Sequence, residues 1–290
     1  MKSKFFEAKK ISDYATVIDG MGGERCYLIE GKDRALLIDG LTGVGSLMAF
    51  VRELTDLPVI MAVTHGHIDH IGAAWEYKEV FIHPDDIALM YTDHHSAPES
   101  RFNFISLRGE KLPATIEDVV PPCNVKTYPI YDGDIFDLGG VELEVIAVPG
   151  HTYGTVVFLD RKARVIYSGD ACNPNTLLCL PGSTSIEEYR TSLDHLKEFQ
   201  QYADSFCGGH GEPVPATIVD DAIAMADRIL NRTDEKVPTP AIGGGTALLG
   251  SARSENFLPV CGGYANIMYS EDNILKGEKA KIKGEPKLRR

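Results

Sequence analysis

Within THGHIDHIG, from Thr64 to Gly72, three histidines and one aspartate occupy positions 65 to 70. A buried loop cannot absorb that density on its own. Each imidazole or carboxylate taken out of water needs a polar partner, and leaving several unmatched costs several kcal/mol. The stretch is therefore either an exposed polar turn or a site where the fold delivers ligands to a cation. Its setting narrows the choice. PVIMAVT before it reads as a buried strand and IGAAWEYKEV after it as the start of a helix, so the stretch lies in a strand-to-helix loop, where α/β scaffolds place functional groups. In extended or loop backbone, residues two apart can point to one side. His65 and His67 can thus reach one metal while Asp69 and His70 turn towards a second.

The surrounding pattern predicts two successive sets of strands and helices. YATVI, CYLIEG and RALLIDG read as neighbouring strands, GSLMAFVREL as a helix and EVFIHP as a further short strand. DDIALMYTDHH then reads as a helix, with His94 and His95 at its surface end, and the weakly patterned stretch to Cys123 as a candidate lid. From NVKTYPI through DIFDLGG, VELEVIAVPG and TVVFLDRKARVIYSGD, apolar and polar residues alternate as in a second, antiparallel run. SIEEYRTSLDHLKEF opens with Ser185 and Glu188 at capping-box spacing, and TIVDDAIAMADRIL repeats the device with Thr217 and Asp220. Between them lies the Gly-rich FCGGHGEP. YANIMYS reads as a last strand, and Gly243 to Gly245 as a turn. No linker divides the sets, so residues 1–290 are expected to form one domain with a basic tail over 276–290.

Composition excludes several classes. The 290 residues carry 42 acidic and 29 basic side chains, a formal charge of -13, and the mean field of such a surface repels nucleic acid. No apolar run suits a signal peptide or a membrane span, and the reading is cytoplasmic. The six cysteines lack CxxC pairs and read as reduced thiols, with Cys172 and Cys207 as small buried hydrophobes.

Three distant residues share the setting of the histidine stretch. His151 in VPGHTYG, Asp170 in YSGDACN and His210 in GGHGEP each follow an apolar strand and sit beside glycine, where backbone can approach a common point. With Asp39 in LLIDG and HGHIDH at 65 to 70, they make five motifs in order. In these motifs the chain, over roughly residues 14 to 211, resembles the metallo-β-lactamase-fold hydrolases. The resemblance implies an α/β fold, an αββα four-layer sandwich, with the metal site at one edge of its two sheets. It implies that His65, His67 and His151 hold a first metal and that Asp69, His70 and His210 hold a second. Asp170 would bridge the two, and Asp39 would orient the ligand loop from behind.

Imidazoles and carboxylates without cysteine suit Zn2+, with Fe and Mn as competitors. Two such ions would hold a hydroxide between them and polarise a substrate oxygen, which implies hydrolysis without a serine or cysteine nucleophile. Asp69 is in addition a candidate proton relay. Comparison within the family narrows the substrate. Flavodiiron oxidoreductases carry Glu in place of His67, nuclease branches carry large gripping insertions, and secreted β-lactamases differ at His70. Glyoxalase-II-like thioesterases share the ligand set but bind their substrate with basic residues, for which Arg253 is the one candidate near the C-terminus. Lactonases place a Tyr where this chain has Asn173, either an oxyanion donor or a turn cap. The expectation is a two-zinc hydrolase of an ester, lactone or thioester in a small molecule, with no nucleic acid or membrane partner and a homodimer possible in principle. The alternative is a single-iron oxidoreductase resembling the persulfide dioxygenases.

Overall fold

The computed structural model of the chain describes residues 1–106, 113–241 and 244–277. Seven strands form the first sheet, in sequence order: β1 (Glu7–Lys10), β2 (Ala15–Asp19), β3 (Arg25–Glu30), β4 (Ala35–Ile38), β5 (Val59–Ala62), β6 (Glu79–Ile82) and β7 (Lys126–Pro129). The first four pair antiparallel and the rest parallel. Helices α1 (Leu47–Arg52), α2 (Ala74–Tyr77), α3 (Pro84–Met90), α4 (Asp93–Ser96) and α5 (Pro98–Ser106) are interleaved with its second half.

The second sheet contains β8 (Ile135–Asp137), β9 (Glu142–Ala147), β10 (Val156–Asp160) and β11 (Val165–Gly169), paired antiparallel in that order. After β12 (Thr176–Leu178) and α6 (Ile186–Phe199), β13 (Ser205–Gly208) adds to β11 in parallel and β14 (Val214–Pro215) closes the edge. Helix α7 (Ile218–Leu230) follows. A small third sheet joins β12 to β15 (Val237–Pro240), β16 (Thr246–Leu249) and β17 (Ile267–Tyr269), in the order β12-β17-β16-β15.

Period-two patterning explains the layering. On β3, Tyr27 and Ile29 join the cluster between the two large sheets, while Cys26 and Leu28 join the cluster beneath α1 and Trp75 of α2. On β10, Val156 and Phe158 face the first sheet, while Val157 and Leu159 face Leu193 and Leu196 of α6 and Ala222 and Met225 of α7. Both faces of these strands are buried, which is why they read as continuous apolar runs. The expected αββα sandwich is what the chain adopts.

Four expectations need correction. NVKTYPI is β7 of the first sheet, parallel to β6, and not the opening of the second run. FCGGHGEP is not wholly a loop, since its first residues belong to β13, which pairs β11 in parallel. Ser185 and Glu188 form the capping box of α6, but the Thr217 side chain makes no cap bond at α7. The stretch after Asp85 breaks into three short helices, and Arg101 of α5 is fully buried, donating to the carbonyls of Thr42 and Val120. These bonds tie α5 to the loop after β4 and to Val120. Most of the basic tail and Gly243 lie outside the described residues.

Candidate metal centre

The histidine stretch leaves the end of β5, and its residues converge with loop residues from the second sheet. His151 follows β9, Asp170 follows β11 and His210 follows β13. Three sets of potential ligand atoms lie within 4.8 Å of one another: His65, His67 and His151; His65, His70 and Asp170; Asp69, His70 and His210. Six of the seven side chains are buried, and His210 is half-buried.

Outer partners hold four of the five imidazoles through Nδ1. His151 Nδ1 lies 2.8 Å from the Leu177 carbonyl and His210 Nδ1 lies 3.2 Å from the Gly23 carbonyl. A carbonyl can only accept, so both rings carry a proton on Nδ1 and turn Nε2 inward. His70 Nδ1 is 2.8 Å from Asp39 Oδ2. The Thr64 hydroxyl donates to Asp39, which leaves its oxygen to accept from His65 Nδ1 at 3.0 Å. His67 is the exception: its Nδ1 faces inward, 2.8 Å from His151 Nε2. The inward atoms include three buried polar atoms without a hydrogen-bond partner, His65 Nε2, His70 Nε2 and Asp170 Oδ1. Buried orphans are rare in folded proteins, and three converging on one point fit a cation. The residues present therefore fit a divalent metal.

Glycine makes the approach possible. A Cβ on Gly209 would lie 2.5 Å from His70 Cε1 and 3.0 Å from Asp170 Oδ1. Asp39 itself adopts a left-handed φ of 67°, which Asp tolerates better than most residues.

Electrostatics divide the site. Burial, reinforced by neighbouring imidazoles, holds His65 and His67 well below the usual histidine range, and burial also lowers His151. His70 goes the other way: burial opposes its charge, but Asp39 and Asp69 outweigh it and push it up to about 10. For His210, burial is likewise overcome, by Asp170 and Asp69, and the ring rises to about 9. Burial works against the Asp69 carboxylate, yet His70 and His210 hold it well below its ordinary value.

Asn173 stands three residues beyond Asp170, and its Oδ1 accepts from the Asn175 N–H at 2.7 Å. Its acceptor side closes a turn. Arg253 donates to Asn175 Oδ1. Tyr153 is exposed, and His94 is exposed as expected. His95 departs from the expected surface position: it is buried, its ring 5.3 Å from His67, its Nδ1 2.8 Å from the Leu89 carbonyl. Sequence reasoning also missed Asp86 and the carbonyls of Leu177 and Gly23. The carbonyls carry no side-chain signal at all.

The model of a family described as the metallo-beta-lactamase superfamily matches residues 19–202. Among curated proteins, the acyl-coenzyme A thioesterase MBLAC2 of Gallus gallus is 27% identical over 187 residues, covering 59% of this chain and 66% of that protein. The chain thus spans just under two thirds of that relative's length. An uncharacterized protein of Mycobacterium tuberculosis is 26% identical over 243 residues, 80% of this chain and 92% of its own. Among solved structures, a metallo-beta-lactamase from Pontibacter korlensis superposes with a TM-score of 0.56 at 17% identity, covering 77% of this chain and 99% of that one. At that identity the likeness concerns the fold.

Proposed function

The chain belongs to the metallo-beta-lactamase superfamily, and from that premise we propose that it is a metal-dependent hydrolase cleaving a thioester, ester or lactone of a small molecule at a two-ion centre. The observation that carries this reading is the convergence of inward-facing ring nitrogens on orphaned atoms of His65, His70 and Asp170. Thioesters head the substrate classes because the Gallus gallus relative is named an acyl-coenzyme A thioesterase. Zinc is the expected metal, given imidazole and carboxylate donors without thiolate; iron and manganese are its competitors.

In this reading His65, His67 and His151 hold one ion and Asp69, His70 and His210 the other, with Asp170 between them. Bound divalent ions would supply Lewis acidity, lowering the pKa of water towards neutrality and polarising a carbonyl oxygen. The chain's own residues do the rest. Leu177, Gly23 and Asp39 retain the Nδ1 protons of His151, His210 and His70, which keeps each Nε2 aimed inward. The Asp69 carboxylate lies 3.1 Å from His210 Nε2, so these two groups would serve the same ion. Asn173, its Oδ1 already engaged, has Nδ2 left as a donor to a developing oxyanion.

The test is elemental analysis of protein purified without added metal, together with oxygen uptake and turnover on a panel of thioesters, esters and lactones. About two zinc ions per chain and hydrolysis without oxygen consumption are expected. Iron with thiol-dependent oxygen uptake would overturn the hydrolase reading. A folded, metal-free Asp170→Ala variant with full activity would do the same.

A further inference from the structure

We propose that Asp86 is a positioning residue that sets the spacing between the His65–His67 loop and the His151 loop, and so shapes the three-histidine half of the centre. The proposal rests on the two-ion reading above. Asp86 lies in the first turn of α3 and is buried, yet its carboxylate does not cap its own helix. It reaches outward instead. Oδ2 accepts from the Gly66 N–H at 2.7 Å and from the Thr152 hydroxyl at 2.7 Å, and Oδ1 accepts from the Gly154 N–H at 2.9 Å.

These donors belong to two loops from different sheets. Gly66 separates His65 from His67 after β5, and Thr152 follows His151 in the loop between β9 and β10. These loop regions are also linked by the Val156 N–H, which donates to the Thr64 carbonyl at 2.9 Å, and by His67 Nδ1, which lies 2.8 Å from His151 Nε2. Contact with Asp86 is close enough to dictate residue type. A Cβ on Gly66 would lie 2.8 Å from the Asp86 carbonyl oxygen, and one on Gly154 would lie 2.7 Å from Asp86 Cγ. A carboxylate with three donors in a dry interior is a rigid clamp, since each donor would otherwise be left unmatched. Asp39 serves His70 and Thr64 in the same manner. Asp39 thus holds His70 directly and reaches His65 only through the Thr64 hydroxyl, whereas Asp86 bridges the two loops of the three-histidine half.

The experiment titrates metal-free protein with Co2+, following the visible d–d bands, and measures each equivalent by chelator competition. Wild type, Asp86→Asn, Thr152→Val and, as the contrasting brace, Asp39→Asn are compared after circular dichroism has checked their folding. Asp86→Asn is expected to weaken one Co2+ equivalent by about 10- to 100-fold and shift its bands, leaving the other within about threefold. Asp39→Asn should weaken the other equivalent. Thr152→Val removes one of the three donors and should weaken the Asp86-dependent equivalent several-fold; this variant decides the matter if Asp86→Asn does not fold. Retention of both equivalents within about threefold, or equal weakening of both, overturns the proposal. Wild-type protein that takes up no Co2+ overturns instead the metal-centre reading on which it rests.

Discussion

Asp39 Oδ2 and His70 Nδ1 lie 2.8 Å apart, both side chains closed off from solvent, and the same carboxylate accepts the Thr64 N–H at 2.7 Å through Oδ1. One side chain thus holds the residue that opens the histidine stretch and the residue that ends its ligand run. It does so from a left-handed backbone position immediately after β4.

Asp39→Asn keeps the volume but replaces an oxygen acceptor with an amide donor. His70 and Thr64 then compete for one oxygen, and the metal affinity of the His70 half should fall by about 10- to 100-fold. Chelator competition on the purified variant measures it. An unchanged affinity would remove Asp39 from the support of the site.

Proton release on metal uptake should differ between the halves. At pH 7 the metal-free protein carries protons on His70, pushed up to about 10, and on His210, at about 9, whereas His65, His67 and His151 are held low and are neutral. Filling the three-histidine half releases few protons; filling the other releases about one from each raised ring. Titration in weakly buffered solution with an indicator dye reads the stoichiometry. Equal release for both equivalents would contradict the division.

The same shifts set the stability of metal-free protein against pH. His70 and His210 have folded values above the ordinary histidine value of about 6.5, so the stability they contribute is fully present below that value and is lost as pH rises through about 9 to 10. His65, His67 and His151 have depressed folded values, so the unfolded chain takes up their protons first and stability also falls as pH drops below about 6.5. Thermal melts of chelator-treated protein should therefore peak near neutrality. A melting temperature still rising between about pH 8 and pH 10 would sink this account.

Asn173→Ala separates an oxyanion donor from a turn cap. Loss of a donor that acts only in the transition state should lower kcat by about 100-fold with KM little changed. A fall in melting temperature with kcat intact would assign the residue to the turn that Asn175 closes.

Gly209→Ala places a methyl group 2.5 Å from His70 Cε1. Because the ring is held from behind by Asp39, it cannot retreat without breaking that bond. Bound metal per chain should drop while the circular dichroism spectrum is retained; full metal occupancy would show that the Gly208–Gly209 backbone yields instead.

Much of the fold and of the site could be read from the sequence because the signals are local. Strands such as β3 and β10 are apolar on both faces, and the candidate ligands sit beside glycine at strand ends. What escaped depends on partners remote in the chain. Nothing within KTYP says that it pairs with β6 rather than β8. The third sheet is built from strands of three or four residues, too short for a period to register. His95 reads as a polar helix end, and only the placement of α4 turns it towards His67. Asp86 stands sixteen positions after His70 in an ordinary helix start, with no motif to mark it.

The Leu177 carbonyl that fixes His151 belongs to β12, and β12 finds its hydrogen-bonding partner in β17. A nascent chain halted before Ile267 would already contain every candidate ligand from His65 to His210, yet it would lack the neighbour that seats Leu177. Assembly of the centre during synthesis therefore waits for the third sheet, and ribosome-bound chains ending on either side of Tyr269 should differ in how tightly they retain metal.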